Sequence, residues 1–297
     1  MILVVGSTNT DMVVKSPRIP VPGETILGGK FLMNPGGKGA NQAVAAARLG
    51  GKVAFVAKVG DDLFGQETYR LLEREGIDAS GVTTDKKEAS GVALIMVDAE
   101  GENCISVASG ANAKLAKADF DRAVRKLGKP SILLAQLETP ISTIAAVAAY
   151  AQKNGIPFIL NPAPAAKLPA AVYKGVSLIT PNETEAELLT GVAVTDEASA
   201  EKAAKALRRK GVQQVIITMG AAGSYVFDGK AGVIVPAKKV KAVDTTAAGD
   251  VYNGALAVAL SEGAALADAV VFATKAAAIS VTRMGAQASA PYRKEVK

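Results

Sequence analysis

Ile132-Leu133-Leu134-Ala135, a helical stretch from Ile141 to Lys153, and then Ile156-Pro157-Phe158-Ile159-Leu160 follow one another in the middle of the chain. The two apolar runs do not alternate with polar residues, as strands covered on both faces do not. A strand, a helix and a second strand in that order are how two parallel neighbours are joined. The same alternation extends outward in both directions. Toward the N-terminus, the spacing predicts strands at Ile2–Val5 and Val53–Lys58 and helices at Ala40–Leu49 and Phe64–Glu75. Toward the C-terminus it predicts strands at Val176–Ile179 and Gln214–Thr218, a helix at Ala198–Lys210, and paired strands at Ser224–Phe227 and Val233–Val235. Two Ala-rich helices, about Gly249–Leu260 and Leu266–Ser280, close the series. The expectation is an α/β fold: a mostly parallel central sheet with helices on both faces.

Other short runs do not fit that alternation. Met12–Lys15 and Thr25–Met33 read as extended pieces separated by Pro17, Pro20, Pro22 and Gly23. Val92–Asp98 and Asn103–Ala108 read as a hairpin turning at Glu100-Gly101-Glu102. Together, about 11–34 and 90–108 form a small sheet inserted into the larger body. With no repeat, low-complexity segment or linker, residues 1–297 read as one domain.

Composition excludes several chemistries. The chain has no histidine, which removes Ser-His-Asp, Cys-His and HExxH sites. Its one cysteine, Cys104, permits no internal disulfide and no CxxC metal site, and reads as a small packed side chain. Catalysis therefore rests on carboxylates, lysines, hydroxyls, backbone amides or a borrowed ion. Met1 leads directly into an apolar strand without the basic region of a signal peptide, and no segment suits a membrane span, so the cytoplasm is the expected location. A net charge of +6 is spread along the chain, and aromatics are only 4%, so neither a nucleic-acid nor a membrane partner is expected.

Four loops carry candidate chemistry. In Val243-Asp244-Thr245-Thr246-Ala247-Ala248-Gly249-Asp250, small residues precede a helix. The amides of Ala247, Ala248 and Gly249 suit an anion there. Asp250 then faces an attacking hydroxyl, or else simply caps the helix. In Asn34-Pro35-Gly36-Gly37-Lys38-Gly39-Ala40-Asn41-Gln42, glycines let a ligand approach the backbone and Asn41 can reach sugar hydroxyls. That loop is neither a Walker A motif nor a GxGxxG fingerprint, which argues against a NAD-dependent dehydrogenase. In Thr180-Pro181-Asn182-Glu183-Thr184-Glu185, Asn182 and Glu185 share one face of a first helical turn, suited equally to water-mediated Mg²⁺ or to mutual capping. Thr218-Met219-Gly220-Ala221-Ala222-Gly223 places glycines after a strand, where nucleotide phosphates sit.

In this order the four loops resemble the PfkB carbohydrate kinase family, in its ribokinase-like branch, along essentially the whole chain. Asn9-Thr10-Asp11, Asn161-Pro162-Ala163-Pro164-Ala165 and Val281-Thr282-Arg283-Met284-Gly285-Ala286-Gln287 add to the likeness. The resemblance implies ATP-dependent phosphorylation of D-ribose at its 5-hydroxymethyl group, with deoxyribose or another sugar or nucleoside of the family's range as the nearest alternative. It implies Asp250 as catalytic base and Gly249 with its neighbours as the anion hole. It implies Asn9, Asp11, Gly37, Lys38, Asn41 and Glu138 at the sugar. At the nucleotide it implies Asn182, Thr218, Gly220, Ala221, Gly223, Gly249 and Thr274, with Glu185 as the Mg²⁺-linked acid. Asp244, Thr246, Ser280, Arg283, Gly285 and Ser289 match loops that hold an activating K⁺. Members are homodimers whose small sheets close over the sugar as lids. Thr274 stands where the family usually has Asn or His, and Val251 replaces a usual Thr. Nucleoside kinases use aromatic side chains around the base, and the inserted strands offer only Phe31. A non-catalytic sensor on this scaffold typically loses the base, which Asp250 here retains.

Overall fold

The computed structural model describes residues 1–297. In chain order the elements are β1 (Ile2–Val5), β2 (Asn9–Lys15), β3 (Lys30–Gly36), α1 (Lys38–Arg48), β4 (Val53–Val56), β5 (Lys58–Gly60), α2 (Leu63–Arg74), β6 (Thr83–Asp85), β7 (Gly91–Val97) and β8 (Asn103–Ala108). Then follow α3 (Lys117–Leu127), β9 (Ile132–Ala135), α4 (Ile141–Asn154), β10 (Phe158–Leu160), α5 (Ala170–Gly175), β11 (Leu178–Ile179), α6 (Glu183–Thr190) and α7 (Glu197–Lys210). The last are β12 (Gln214–Thr218), β13 (Ser224–Phe227), β14 (Gly232–Val235), α8 (Ala248–Ser261) and α9 (Leu266–Ser280).

Eight strands form the central sheet in the order β14-β13-β12-β11-β10-β9-β1-β4. All pairs from β4 to β12 are parallel, and β13 and β14 add an antiparallel edge. Ile2 and Val4 point into a core shared with α1, α8 and α9, whereas Leu3 and Val5 point into one shared with α4 and α7. Burial on both faces is why β1 and β9 carry no polar alternation. Each such aliphatic side chain contributes about 1.5–3 kcal/mol. The chain leaves β1 toward β4 on one side and later toward β9 on the other. The carboxyl ends of β1 and β9 therefore flank a topological switch point, where a crevice opens beyond the sheet.

A second, four-stranded sheet has the order β3-β2-β7-β8. Asp11 is paired with Asn34 on one side and Ala93 on the other. The strand expected at Thr25–Met33 lies instead at Lys30–Gly36, because the Pro- and Gly-rich stretch before it makes no ladder. Cys104 corrects the sequence reading: it is exposed, on the outer strand β8, all of whose residues face solvent. Two helices were not anticipated. α3 buries only Asp119, Phe120 and Ala123 among charged residues, and α5 is a short piece held by Val172 and Tyr173. No helix is long and apolar enough to cross a membrane.

Candidate active site

The glycine loop is shaped by close backbone approach. Gly37 has φ 87°, and a Cβ there would lie 2.8 Å from the Asn9 amide nitrogen. A Cβ on Gly39 would lie 2.6 Å from the Ser7 nitrogen, so α1 starts directly over the end of β1. A Cβ on Gly36 would sit 2.2 Å from Asp11 Oδ2, so the missing side chain makes room for that carboxylate. Glu138, in the loop after β9, ties this corner together. Its Oε2 accepts from the Lys38 amide at 3.0 Å and the Ser7 hydroxyl at 2.5 Å.

The start of α8 meets the same corner. Ala247 is the N-cap and the only non-glycine residue with positive φ, at 58°. Of the three amides expected to face an anion, that of Ala248 instead donates to the Thr245 carbonyl at 3.2 Å. The Ala247, Gly249 and Asp250 amides make no intramolecular bond. Asp250 is 5% exposed, and both its oxygens accept from side-chain amides: Oδ2 from Asn41 Nδ2 and Oδ1 from Gln42 Nε2, each at 2.9 Å. Burial pushes its carboxyl up, against the opposing pull of Lys38, Asn41 and Gln42, and Glu138 adds to the rise. Gly254 permits the contact between the helices, since a Cβ there would lie 2.8 Å from the Gln42 carbonyl.

Asp11, Glu138 and Asp250 surround one space. Burial first, then the charges of Glu138 and Asp250, raise the Asp11 carboxyl to about 6. Burial pulls the Lys38 ammonium down, but Asp250, Glu138 and Glu185 outweigh it and hold the group above its ordinary range. Asn41 Oδ1 is buried without a partner and can accept a hydrogen bond. Asn9 Oδ1 accepts from Asn112 Nδ2 at 2.8 Å, which leaves the Asn9 amide nitrogen available.

The remaining loops converge from the other side. Asn182 and Glu185 form the reciprocal capping box, with Asn182 Oδ1 accepting from the Glu185 amide at 2.8 Å and Glu185 Oε2 from the Asn182 amide at 2.9 Å. Glu185 Oε1 is left over, and burial raises this carboxyl. Asn182, the N-cap of α6, makes an isolated parallel bridge to Thr218 at the end of β12, bringing the two nucleotide candidates side by side. Gly220 and Gly223 have φ of 52° and 103°, and a Cβ on Gly223 would strike the Val235 carbonyl at 2.1 Å. Ala221 is exposed between them. Thr274 Oγ1 is buried on α9 without a partner, as is Tyr252 OH on α8.

The loops matched to a monovalent ion also meet. Asp244 accepts from the Thr246 amide at 2.9 Å and the Gly285 amide at 2.8 Å, and Val281 O accepts from the Val243 and Asp244 amides. These bonds outweigh burial and lower the Asp244 carboxyl. The Ser280 and Ser289 hydroxyls donate to Ala277 and Ala286 carbonyls, and Arg283 pairs with Glu295. What this region offers a cation is thus a carboxylate and backbone carbonyls, an all-oxygen set of the kind hard cations take. No three His, Cys, Asp or Glu side chains are placed to hold a metal ion together, so a divalent ion would take few protein ligands besides Glu185.

Sequence reading missed the groups behind these. Gln42, Gln136, Asn161, Thr180 and Asn253 form a buried polar chain next to Asp250. Asn112 holds the backbone of Thr8 through both ends of its amide, at 3.0 Å each. The one available signal was polar residues such as Gln42 in otherwise Ala-rich surroundings.

Known proteins resemble this chain along its length. The pattern of the pfkB family carbohydrate kinases matches residues 1–293. A ribokinase of Haemophilus influenzae is 46% identical over 98% of this chain and 95% of its own. A deoxyribokinase of Salmonella typhi is 40% identical over 98% and 95%. The structure of an Arabidopsis thaliana ribokinase complexed with ribose and ATP superposes with a TM-score of 0.93 at 34% identity, covering 99% of this chain and 96% of that one. A family pattern matched from residue 1 to 293, and relatives this similar along almost their whole length, show that the chain belongs to the pfkB family of carbohydrate kinases, phosphotransferases that act on an alcohol group.

Proposed function

We propose that this enzyme transfers the γ-phosphoryl group of ATP to the 5-hydroxyl of D-ribose. The observation that carries the reading is Asp250. It is a buried carboxylate with an oxygen held by each of two amides, beside the free amides of Gly249 and Asp250 and across a space from Asp11 and Glu138. The ribokinases among its relatives support ribose as the acceptor.

Asp11, Asn9, Lys38, Asn41 and Glu138 hold the sugar, with Asp11 accepting from ring hydroxyls and Asn41 Oδ1 from another. The nucleotide lies along Asn182, Thr218, Gly220, Ala221, Gly223 and Thr274, its γ-phosphate toward the α8 start. The hydroxyl oxygen bonds to the γ-phosphorus as the bond to the β-bridging oxygen breaks, and ADP leaves. In a loose transition state the proton departs late, so Asp250 chiefly orients the hydroxyl and then takes that proton. The free amides and Lys38 meet charge on the transferred group. Glu185 would hold Mg²⁺, which would supply positive charge to the phosphates. Asp244 with the carbonyls near Thr246, Ser280, Arg283, Gly285 and Ser289 would hold K⁺, whose charge would stiffen the turn before α8. The protein acts in the cytoplasm as a homodimer, its small sheets closing over the sugar.

The test is ADP release across pentoses, hexoses and nucleosides. D-ribose is expected to exceed 2-deoxyribose by at least about tenfold in kcat/KM, the loss of a hydroxyl that charged groups bind. Asp250→Asn is expected to fold, bind ATP and lose at least about three decades of kcat. Near-normal turnover by that variant, or a preference for deoxyribose, contradicts the respective part of the proposal.

A further inference from the structure

The side chain of Gln42 is wholly buried behind Asp250, in the packing between α1 and α8. Both hydrogens of its amide are used: Nε2 donates to Asp250 Oδ1 at 2.9 Å and to Asn161 Oδ1 at 3.0 Å. Its Oε1 accepts from Gln136 Nε2 at 2.6 Å. Turning this amide over would set oxygen against oxygen at Asp250 and Asn161 and nitrogen against nitrogen at Gln136. The neighbours are themselves fixed. Asn161 Nδ2 donates to the Thr180 carbonyl at 3.1 Å. Gln136 Oε1 accepts no hydrogen bond and lies 2.2 Å from where a Cβ on Gly6 would be, so that amide is placed by its fit against Gly6 and by its bond to Gln42. The chain of bonds returns to the active turn: Thr180 Oγ1 donates to Asn253 Oδ1 at 2.7 Å, and Asn253 Nδ2 to the Gly249 carbonyl at 2.8 Å.

We propose that Gln42 is a positioning residue for the reaction, its amide locked in one orientation by Gln136 so that it holds the Asp250 carboxylate as an acceptor in its reacting geometry. Packing alone does not call for it. α1 is filled by Ala40, Ala43, Val44, Ala45 and Ala46, and an aliphatic residue would pack there without polar groups to satisfy. A buried amide costs about 1–3 kcal/mol unless every partner is present, so such a network persists where its orientation matters. The proposal rests on the reading of Asp250 as base. Lys38 from the start of α1 favours the ionised form of Asp250, and Asp11 on β2, Glu138 after β9 and Glu185 on α6 oppose it. None of these is altered by substituting Gln42 or Gln136.

The experiment is the pH profile of kcat, from about 5 to 9, for wild type, Gln42→Met and Gln136→Met, with KM for ribose and ATP at each pH. Removing a donor from the ionised base raises its pKa, so the acidic limb moves upward. For Gln42→Met, the limb is expected about one unit higher, so that kcat falls by up to about tenfold on the acidic side of the limb and the deficit narrows as pH rises above it. Both KM values stay within about threefold of wild type. Gln136→Met, which leaves every donor to Asp250 in place but frees the Gln42 amide, shifts the limb the same way by less. An equal loss at every pH, or a raised KM with unchanged kcat, overturns the proposal. If Gln42→Met fails to fold, Gln136→Met decides alone, and an unmoved limb overturns it. Full activity of Asp250→Asn removes the base itself, whereas an inactive Asp250→Asn with unmoved limbs removes only the role of Gln42.

Discussion

Asp11 occupies a position where one group serves two opposing ends. Gly36 leaves its carboxylate room on β3, and Glu138 and Asp250 share the space it faces. Burial and those two charges raise it from 3.8 to about 6 in the protein without sugar. The folded value lies above the unfolded one, so the folded state holds the proton more tightly. Taken alone, Asp11 therefore stabilises the fold at low pH and loses that contribution as pH rises through about 4 to 6. Sugar binding has the opposite sign, because an ionised Asp11 accepts hydroxyl hydrogens better than a protonated one. Ribose affinity, measured by calorimetry without nucleotide, is expected to weaken up to about tenfold per unit as pH drops below about 6. Asp11→Asn should bind ribose more weakly at pH 8 and show a flat profile. A wild-type affinity independent of pH between 5 and 8 contradicts the role given to this residue. Asp11→Ala should raise KM for ribose far more than KM for ATP.

Among elements, the turn before α8 shows how a loop keeps backbone amides unpaired. Ala247 adopts a left-handed conformation that costs an alanine roughly 1 kcal/mol, and its surroundings must over-determine it. Asp244 is one such constraint. It accepts from Thr246 inside the turn and from Gly285 outside it, joining the loop to the end of α9. A K⁺ held by this carboxylate and nearby carbonyls would stiffen the same turn, whereas Asp244 acting only as a cap would be indifferent to the ion. Replacing Na⁺ by K⁺ at constant ionic strength is expected to raise activity several-fold, since carbonyl sites discriminate by radius. Asp244→Ala should abolish that difference and lower stability by about 1–3 kcal/mol through the amides it leaves unpaired. Equal wild-type rates in the two salts leave Asp244 as a cap alone. The sequence made this turn legible, because small residues before a helix have few other uses. It did not show that Ala248 spends its amide on Thr245, a bond set by the left-handed step at Ala247.

For the whole molecule, legibility followed burial. β1 and β9 were readable because two-sided packing leaves uninterrupted apolar runs, and the order of loops along the chain placed the site at the switch point. The polar chain from Gln136 to Asn253 was not, since its partners lie far apart in sequence and no local pattern marks them. The small sheet was readable as strands but not in its surroundings. Leu32, Val13, Ile95 and Ile105 lie in one register row across all four strands, and Met33, Met12 and Leu94 in a row on the opposite face. Leu94 is 56% exposed and Ile105 54%, so both faces present apolar surface to solvent. Apolar surface this continuous marks an interaction site, and β3 and β8 are also open edges. In the proposed homodimer these faces cover one another while each sheet keeps Asp11 at its own sugar site. Analytical ultracentrifugation at micromolar concentration is expected to give twice the chain's 30.2 kDa. The double variant Leu94→Lys with Ile105→Lys puts a charge on each face, and a buried unpaired charge costs several kcal/mol, enough to separate the subunits. It should sediment as a folded monomer with a higher KM for ribose, because the sheet then loses the support that holds it over the crevice. A variant that remains dimeric would place the interface elsewhere on the molecule.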